Sequence, residues 1–301
     1  MTDIFATIEE LTGYRQEDLQ LDINRGNYQM FSTHGEQNYI IRVLQKNDSP
    51  LVHQKFKTEV YVLDLMAEYK EIPTPDLVGS QVSDPSTLIV IMEKLEGVPL
   101  QETWNYLSSG DQFRLATQFG QLLNHLHQIR LPGYGLPDEF NDNWSQYLQQ
   151  RIQQSLEFLD AHLDQKVISL INKRTKTWLP HIRSEEPVLV HADLNAHNLL
   201  ISTESDNPVI TGIVDWEWSF AAHNRYDLVE VESFFHNSQK LLNAFYQGYG
   251  GRPQRKNWEY ERRTYLLDRF LQTACYYIST GNYNSQQQHL THFMLSTILK
   301  Y

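Results

Sequence analysis

Two neighbouring stretches of this chain place carboxylate and amide side chains at the ends of apolar strands. In the first stretch, two apolar strands flank a loop that carries His191, Asp193 and Asn198. In the second stretch, an apolar run ends at Asp215. Phosphoryl transfer needs a carboxylate to orient the acceptor hydroxyl group, and it needs oxygen ligands to hold Mg2+ against nucleotide phosphates. This arrangement predicts Asp193 as the catalytic carboxylate and Asn198 and Asp215 as ligands of the metal ion.

Ordinary turns and a metal hydrolase site are two other interpretations of these loops. Turns prefer Asp and Asn, so Asp193 alone fits an ordinary turn better than a catalytic site. The whole arrangement, in which apolar strands lead into two acidic loops, fits ordinary turns much less well. A metal hydrolase built from His191, Asp193 and His197 has suitable ligand types, but no zinc-type spacing accompanies them.

The two loops resemble the catalytic and metal-binding motifs of the aminoglycoside phosphotransferase family. The motifs are His191-x-Asp193-x-x-x-x-Asn198 and the following Ile-Val-Asp215-Trp. That family is related to protein kinases, although no Asp-Phe-Gly or Ala-Pro-Glu follows here. The resemblance implies an α+β, bilobal protein-kinase-like fold, with an N-terminal antiparallel sheet lobe and a larger, mainly helical C-terminal lobe. It also implies that His191 supports the loop by hydrogen bonding and takes no part in the transfer.

Hydrophobic periodicity predicts the elements that must position these loops. The first part of the chain is predicted to hold strands at 19–23, 28–32, 38–44 and 88–92, with helices at 4–11 and 51–69. Helices are predicted further on at 113–126, 144–163 and 167–178. The resemblance implies that the last two belong to the part that varies among relatives to shape the acceptor pocket. The resemblance implies a nucleotide-binding lobe at 1–96 and a catalytic, acceptor-binding lobe at 97–301.

One basic residue, Arg42, stands among apolar residues in the third predicted strand. In kinases a lysine at this position holds the α- and β-phosphates of the nucleotide, and the resemblance implies this role for Arg42. The alternative is an edge-strand arginine in solvent. Glu59 lies beside the apolar face of the next helix and is the expected partner of Arg42. Glu68 competes, but it lies at the far end of that helix.

The nucleotide base is expected at a hinge after the strand at 88–92. The motif Met-Glu93-x-x-x-Gly-x-Pro-Leu resembles the hinge of the family, and backbone groups from Glu93 to Leu95 would then bind the edge of adenine or guanine. The turn before the second strand contributes Asn27 as a candidate nucleotide contact. Only Gly26 stands where a glycine-rich loop has two or three glycines, so a plain hairpin is the favoured interpretation of that turn.

Two further acidic residues, Glu217 and Asp227, follow the metal-binding motif. Asp227 matches an Asp-Leu motif of the family, in which the carboxylate braces the catalytic loop. The preceding Gly-Asp-Pro of relatives is replaced here by His-Asn-Arg. Glu217 lies two residues beyond Asp215, and it has three alternatives: contact with a second metal ion through water, contact with a cationic acceptor, or exposure to solvent. His125 and His127 are interpreted as structural or surface residues.

Composition limits the classes of protein that fit the chain. The 301 residues include 37 acidic and 25 basic side chains, for a formal net charge of -12. This charge disfavours binding to nucleic acid, which needs a basic surface. It is compatible with a cationic acceptor, although many proteins are acidic for solubility alone.

No run approaches the roughly 18 apolar residues of a membrane helix. The N-terminus lacks a signal peptide's pattern and the single cysteine, Cys275, excludes an internal disulfide, so a cytoplasmic protein is expected.

The resulting expectation is Mg-dependent transfer of the γ-phosphate of ATP or GTP to a hydroxyl group of a small molecule. An aminoglycoside or another antibiotic is the first acceptor class considered. A housekeeping kinase of choline, homoserine or a sugar is the main alternative, because a fold does not fix its substrate. A catalytically silent nucleotide-binding module is a third. The single glycine in the first turn favours that module, and the presence of Asp193, Asn198 and Asp215 opposes it.

Overall fold

Strands dominate the first hundred residues of this chain, and helices dominate most of the rest. The computed structural model describes residues 4–25, 28–35, 37–45, 49–82, 87–137, 139–204, 207–253 and 256–281. The strands are β1 Leu19–Arg25, β2 Tyr28–Thr33, β3 Tyr39–Gln45, β4 Leu77–Gln81, β5 Thr87–Glu93, β6 Val98–Pro99, β7 Val188–Val190, β8 Leu199–Ser202, β9 Val209–Ile213 and β10 Phe220–Ala222. The helices are α1 Ile4–Thr12, α2 Pro50–Met66, α3 Leu100–Thr103, α4 Ser109–Leu126, α5 Trp144–Phe158, α6 Gln165–Trp178, α7 Arg225–Phe234, α8 Gln239–Gly248 and α9 Trp258–Ser279.

The chain divides into two compact units, each assembled from separate segments. The first unit comprises residues 1–125, 193–219 and 238–250, and the second comprises 126–192, 220–237 and 251–301. The lobe boundary predicted near residue 96 stays a prediction. Among the described helices, none is long and apolar enough to cross a membrane.

The first unit contains an antiparallel sheet of five strands in the order β1-β2-β3-β5-β4. Its predicted strands are all present, within one or two residues of their predicted ends. On one face, Ile41 and Val43 of β3 pack with Ile8 of α1 in a buried cluster. Because successive side chains of a strand point to opposite faces, Arg42 points away from this cluster. It meets Glu59 of α2 on the other face. Alternation along β3 therefore sets the direction of Arg42.

A smaller antiparallel sheet, β6-β8-β9, brings the two predicted metal ligands of the first unit to one end of a hairpin. The register pairs Leu199, the first residue of β8, with Ile213, the last residue of β9. Asn198 and Val214 lie just beyond this pair, and the Val214 N–H donates to the Asn198 carbonyl at 3.0 Å. Asp215 therefore follows directly beside Asn198.

The second unit is mainly helical, with a short antiparallel pair formed by β7 and β10. Its core is aromatic. Trp144 of α5 stacks on Tyr134 with ring centroids 5.3 Å apart, and its indole N–H donates to the Tyr265 hydroxyl at 3.0 Å. The helix predicted to run from Trp144 to residue 163 is wrong at its end, since α5 stops at Phe158. The next helix, α6, begins after Asp164, whose side chain accepts a hydrogen bond from the Lys166 N–H.

Candidate functional site

The predicted catalytic loop holds Asp193 and Asn198 together within the first unit. The Asn198 side-chain amide donates to the backbone carbonyl of Asp193 at 2.9 Å and to its carboxylate at 2.8 Å. Both contacts use the amide nitrogen, so the side-chain oxygen is the Asn198 atom able to face a cation. Asn198 is buried, whereas Asp193 is half-buried. The five-residue spacing therefore produces a direct contact between the two side chains.

Asp227 holds the backbone at the start of this loop, within the second unit. Its buried carboxylate accepts hydrogen bonds from the N–H of His191 at 2.9 Å and of Ala192 at 2.8 Å. The ring of His127 lies 3.2 Å from the same carboxylate. Burial works to raise the pKa of Asp227, but the contacts with His127 and His191 outweigh it and hold that pKa below its usual range. These contacts agree with the predicted bracing role, and the role itself stays a prediction.

Two non-glycine residues of the described chain have left-handed backbone conformations, and both lie at these loops. Ala192, with φ of 62°, directly precedes Asp193. The other is Asp215 itself, with φ of 67°. This conformation is unfavourable for residues with a Cβ atom, and strained backbone of this kind clusters at functional sites.

Arg42 lies at the centre of a buried ion cluster in the first unit. One guanidinium nitrogen donates to both carboxylate oxygens of Glu59, at 2.7 and 2.6 Å, and lies 3.3 Å from Asp215. The other terminal nitrogen donates to Glu217. Glu68 lies beyond the end of α2 and is exposed, so Glu59 is the one of these two candidates that pairs with Arg42. Glu217 is only 7% exposed, which excludes the solvent alternative for this residue.

The electrostatics of this cluster favour added positive charge near Asp215. Burial raises the pKa of Asp215 to about 7, the charge of Glu217 adds to the rise, and Arg42 opposes it. The Asp215 side chain is nevertheless 39% exposed, so a cation is able to reach it. Arg42 also keeps one buried donor, its Nε–H, without a hydrogen-bond partner. A buried N–H without a partner is costly, and an anionic oxygen is the natural group to satisfy it.

The cluster includes one side chain that sequence reasoning missed. Lys55 of α2 is only 4% exposed, and its ammonium group lies over the ring of Trp218. Its charge acts to lower the pKa of both Glu59 and Glu217. Lys55 precedes Glu59 by four residues, and residues at this spacing share a helix face. That spacing was the available signal in the sequence.

At the predicted hinge, the backbone amides of Glu93 and Lys94 donate hydrogen bonds to neighbouring parts of the chain. The Glu93 N–H donates to the Asp76 carbonyl at 2.9 Å, and the Lys94 N–H donates to the Asn38 carbonyl at 2.8 Å. Both amides are therefore used by the sheet, and at Glu93 the carbonyl is the backbone group left to a base. Binding of a base by Glu93 and Leu95 stays a prediction. Asn27, the candidate contact in the first turn, lies outside the described residues.

Solved structures of aminoglycoside phosphotransferases are similar in fold to this chain. Aminoglycoside phosphotransferase APH(4)-Ia, as a thermostable mutant in ternary complex with AMP-PNP and hygromycin B, is similar with a TM-score of 0.71 at 17% identity, covering 100% of this chain and 98% of that chain. The gentamicin complex of APH(2'')-IIa is similar with a TM-score of 0.72 at 16% identity, covering 98% of this chain and 95% of that chain. The predicted α+β, protein-kinase-like fold is therefore confirmed.

The family follows from a match along most of the sequence. Residues 20–264 match the model of the phosphotransferase enzyme family. The chain belongs to this family of phosphotransferases. The predicted class of enzyme, a small-molecule kinase with an alcohol group as acceptor, is confirmed. The roles of the individual site residues stay predictions, as does the cytoplasmic location.

Proposed function

We propose that this chain transfers the γ-phosphate of ATP or GTP, with Mg2+, to a hydroxyl group of a cationic small molecule. The observation that carries this proposal is the contact of Asp193 with Asn198 beside Asp215. The β8–β9 register puts Asn198 beside the residue before Asp215, so both would be available to one metal ion, and the Asn198 amide donates to the Asp193 carboxylate.

The donor set fits Mg2+. This ion takes hard oxygen ligands, and it is usually held by one or two carboxylates together with phosphate oxygens and water. Asp215 supplies a carboxylate, and Asn198 supplies an amide oxygen. No group of three or more His, Cys, Asp or Glu side chains is placed to hold one ion among the residues that the structure describes. When bound, Mg2+ would neutralise charge on the transferred phosphate.

Arg42 fits the phosphates of the nucleotide. Its guanidinium group is fixed by Glu59 on one side, and its Nε–H donor remains unpaired. A phosphate oxygen would satisfy this donor with a charge-assisted hydrogen bond. Glu59 would position Arg42, and the carbonyl of Glu93 would bind the base.

Asp193 would orient the acceptor hydroxyl group and accept its proton. The carboxylate is half-buried and accepts a hydrogen bond from the Asn198 amide, which would fix its orientation toward the acceptor. Bracing of the preceding residues by Asp227 would keep the carboxylate in place.

A cationic acceptor is supported by charge and by the similar structures. The net charge of -12 attracts cations at long range. Similar enzymes have been solved with hygromycin B, with gentamicin, and with streptomycin and ATP. We infer that an aminoglycoside-like, amino- and hydroxyl-rich molecule is the acceptor class to test first.

The test measures release of nucleoside diphosphate with Mg-ATP or Mg-GTP across aminoglycosides, macrolides, choline, homoserine and sugars. Acceptor-stimulated release is expected, and Asp193→Ala is expected to lower it by about 10^2–10^4-fold, the usual contribution of a positioned acid or base. The matched control is His197→Ala, which removes an exposed side chain from the same loop and should leave release unchanged.

Two results would contradict the proposal. Unchanged turnover in Asp193→Ala would remove the catalytic assignment. If no acceptor of the panel stimulates release of nucleoside diphosphate although the nucleotide binds tightly, the chain is a catalytically silent nucleotide-binding module and not a transferase for these acceptors.

A further inference from the structure

Lys55 is buried in the first unit without any role in the predicted chemistry. It lies on α2 with 4% of its surface exposed. Burying a charged ammonium group is costly unless neighbouring groups compensate. The ring of Trp218 lies directly beneath this group, well within the roughly 6 Å of a cation–π contact. A desolvated contact of this kind holds the two side chains together.

The partner of Lys55 belongs to the turn that carries the predicted metal ligand. Trp218 ends a single helical turn, Trp216–Trp218, that begins directly after Asp215. Glu217 lies in the same turn and pairs with Arg42. Helix α2 therefore holds this turn in two ways, through Lys55 on Trp218 and through Glu59 and Arg42 on Glu217.

The charges of the cluster give Lys55 a second effect. Three carboxylates, Glu59, Asp215 and Glu217, lie around Arg42. When all three carboxylates are ionised, Arg42 alone would leave two negative charges in excess, and Lys55 reduces the excess to one. Nucleotide phosphates are themselves anionic, so an uncompensated carboxylate beside them weakens their binding.

We propose that Lys55 is a positioning residue of the nucleotide site. Its ammonium group, buried on Trp218, anchors the turn that carries Asp215 to helix α2, and it supplies the second positive charge that the carboxylates around Arg42 require. This inference rests on the proposed nucleotide-dependent function. It goes beyond it by assigning Lys55 and Trp218 to the site.

The experiment is a calorimetric titration of the full chain with Mg-AMP-PNP, which reports binding without turnover. Lys55→Met keeps most of the volume and removes the charge. It is expected to raise the nucleotide Kd by about tenfold or more. Lys55→Arg restores the charge and should recover most of the affinity. Trp218→Phe keeps an aromatic face, whereas Trp218→Leu removes it and should weaken binding as Lys55→Met does.

Coupling between the two side chains is tested in the double variant. If they act through one contact, Lys55→Met with Trp218→Leu should bind only slightly more weakly than either single variant. Lys57→Met is the matched control, because it removes an exposed lysine from the same helix. It should bind the nucleotide as the wild type does.

A purely structural lysine would give a different result. Thermal unfolding would then show a lower Tm for Lys55→Met while its nucleotide Kd stays at the wild-type value, and the proposal would be overturned. Fully additive effects in the double variant would overturn the shared contact. Failure of the wild type itself to bind Mg-AMP-PNP would instead contradict the proposed function, so the two failures are distinguishable.

Discussion

At the scale of single residues, strained backbone and buried charge coincide at the two predicted loops. A left-handed conformation costs a residue with a side chain about 1–3 kcal/mol. Ala192 is held in it by the hydrogen bond from its N–H to Asp227. Asp215 is held by Arg42 at 3.3 Å and by the turn that follows it. In each loop a buried ionic group therefore stabilises the conformation that directs the side chain.

The role of Asp227 can be tested with a variant of nearly the same shape. In Asp227→Asn, the amide nitrogen replaces an oxygen that accepts a backbone N–H, and two donors then face each other. Because Ala192 directly precedes Asp193, the catalytic carboxylate should be displaced. Displacements of about 1 Å cost on the order of 10^2-fold in rate. The kcat for acceptor-stimulated release should fall by about this factor, while the Kd for Mg-AMP-PNP should change by less than about threefold.

The control for this variant is Glu230→Gln on the same helix. It also removes a carboxylate, and the structure pairs that carboxylate with Arg269. Its kcat should equal that of the wild type. An Asp227→Asn enzyme with normal kcat would show that the loop does not depend on this carboxylate.

The sequence predicts the site residues that are close to each other in the chain or that match the pattern of kinases. The five-residue spacing of Asp193 and Asn198 gives a direct contact. The pairing of Arg42 with Glu59, 17 residues apart, follows from alternation in β3 and from the helix face of α2. The spacing of Lys55 and Glu59 puts both residues on one face of α2, but it does not predict the contact of Lys55 with Trp218, because that contact joins α2 to a turn far along the chain.

At the scale of elements, the sequence predicts the presence of a helix better than the residue at which the helix ends. Helix α2 was expected over 51–69 and ends at Met66, three residues early. Beyond Met66 the chain closes in turns with i→i+3 hydrogen bonds, from the Ala67 N–H to the Asp64 carbonyl and from the Tyr69 N–H to the Met66 carbonyl. The prediction at α5 is too long because apolar spacing continues to Leu163, whereas the helix stops at Phe158. Spacing alone does not mark the residue at which a helix ends.

The crossing of α4 and α8 in the first unit gives a sharper element-scale prediction. A Cβ atom at Gly120 would lie 2.0 Å from the Phe245 carbonyl oxygen, and one at Gly248 would lie 1.9 Å from that of Thr117. Both clashes involve backbone, so the helices would have to separate. Gly120→Ala should therefore lower the free energy of unfolding by about 3 kcal/mol, the upper part of the range for overpacked cores.

The measurement is denaturant unfolding of Gly120→Ala beside Gly110→Ala. Gly110 lies in the same helix, but a Cβ atom there would meet only the Ser108 hydroxyl, at 3.6 Å. The control should be neutral or more stable by about 0.4–1 kcal/mol, because alanine restricts the unfolded chain. Equal stabilities for the two variants would contradict the close crossing.

At the scale of the whole molecule, charge determines how the protein responds to acid. The chain carries 37 acidic side chains against 25 basic ones and 12 histidines. Glu185 is one acidic group with a strongly shifted titration. Contact with His223 at 2.9 Å and with Arg225 at 2.7 Å lowers its pKa from 4.5 to about 2. Asp227 is shifted in the same direction, with its pKa below 3.8.

These lowered pKa values predict a loss of stability in acid. Between pH 4.5 and about 2, the unfolded chain binds a proton at residue 185 that the folded chain does not. The free energy of unfolding therefore falls as the pH falls through this window, and the contribution is fully present above it. In denaturant unfolding, Glu185→Gln should be less stable than the wild type at pH 7, and the difference should shrink toward zero near pH 2.

Glu186→Gln is the control, since that carboxylate is 54% exposed beside Arg130 and should contribute little at any pH. A difference between Glu185→Gln and the wild type that stays constant from pH 7 to pH 2 would show that the ion pairs of Glu185 do not stabilise the fold.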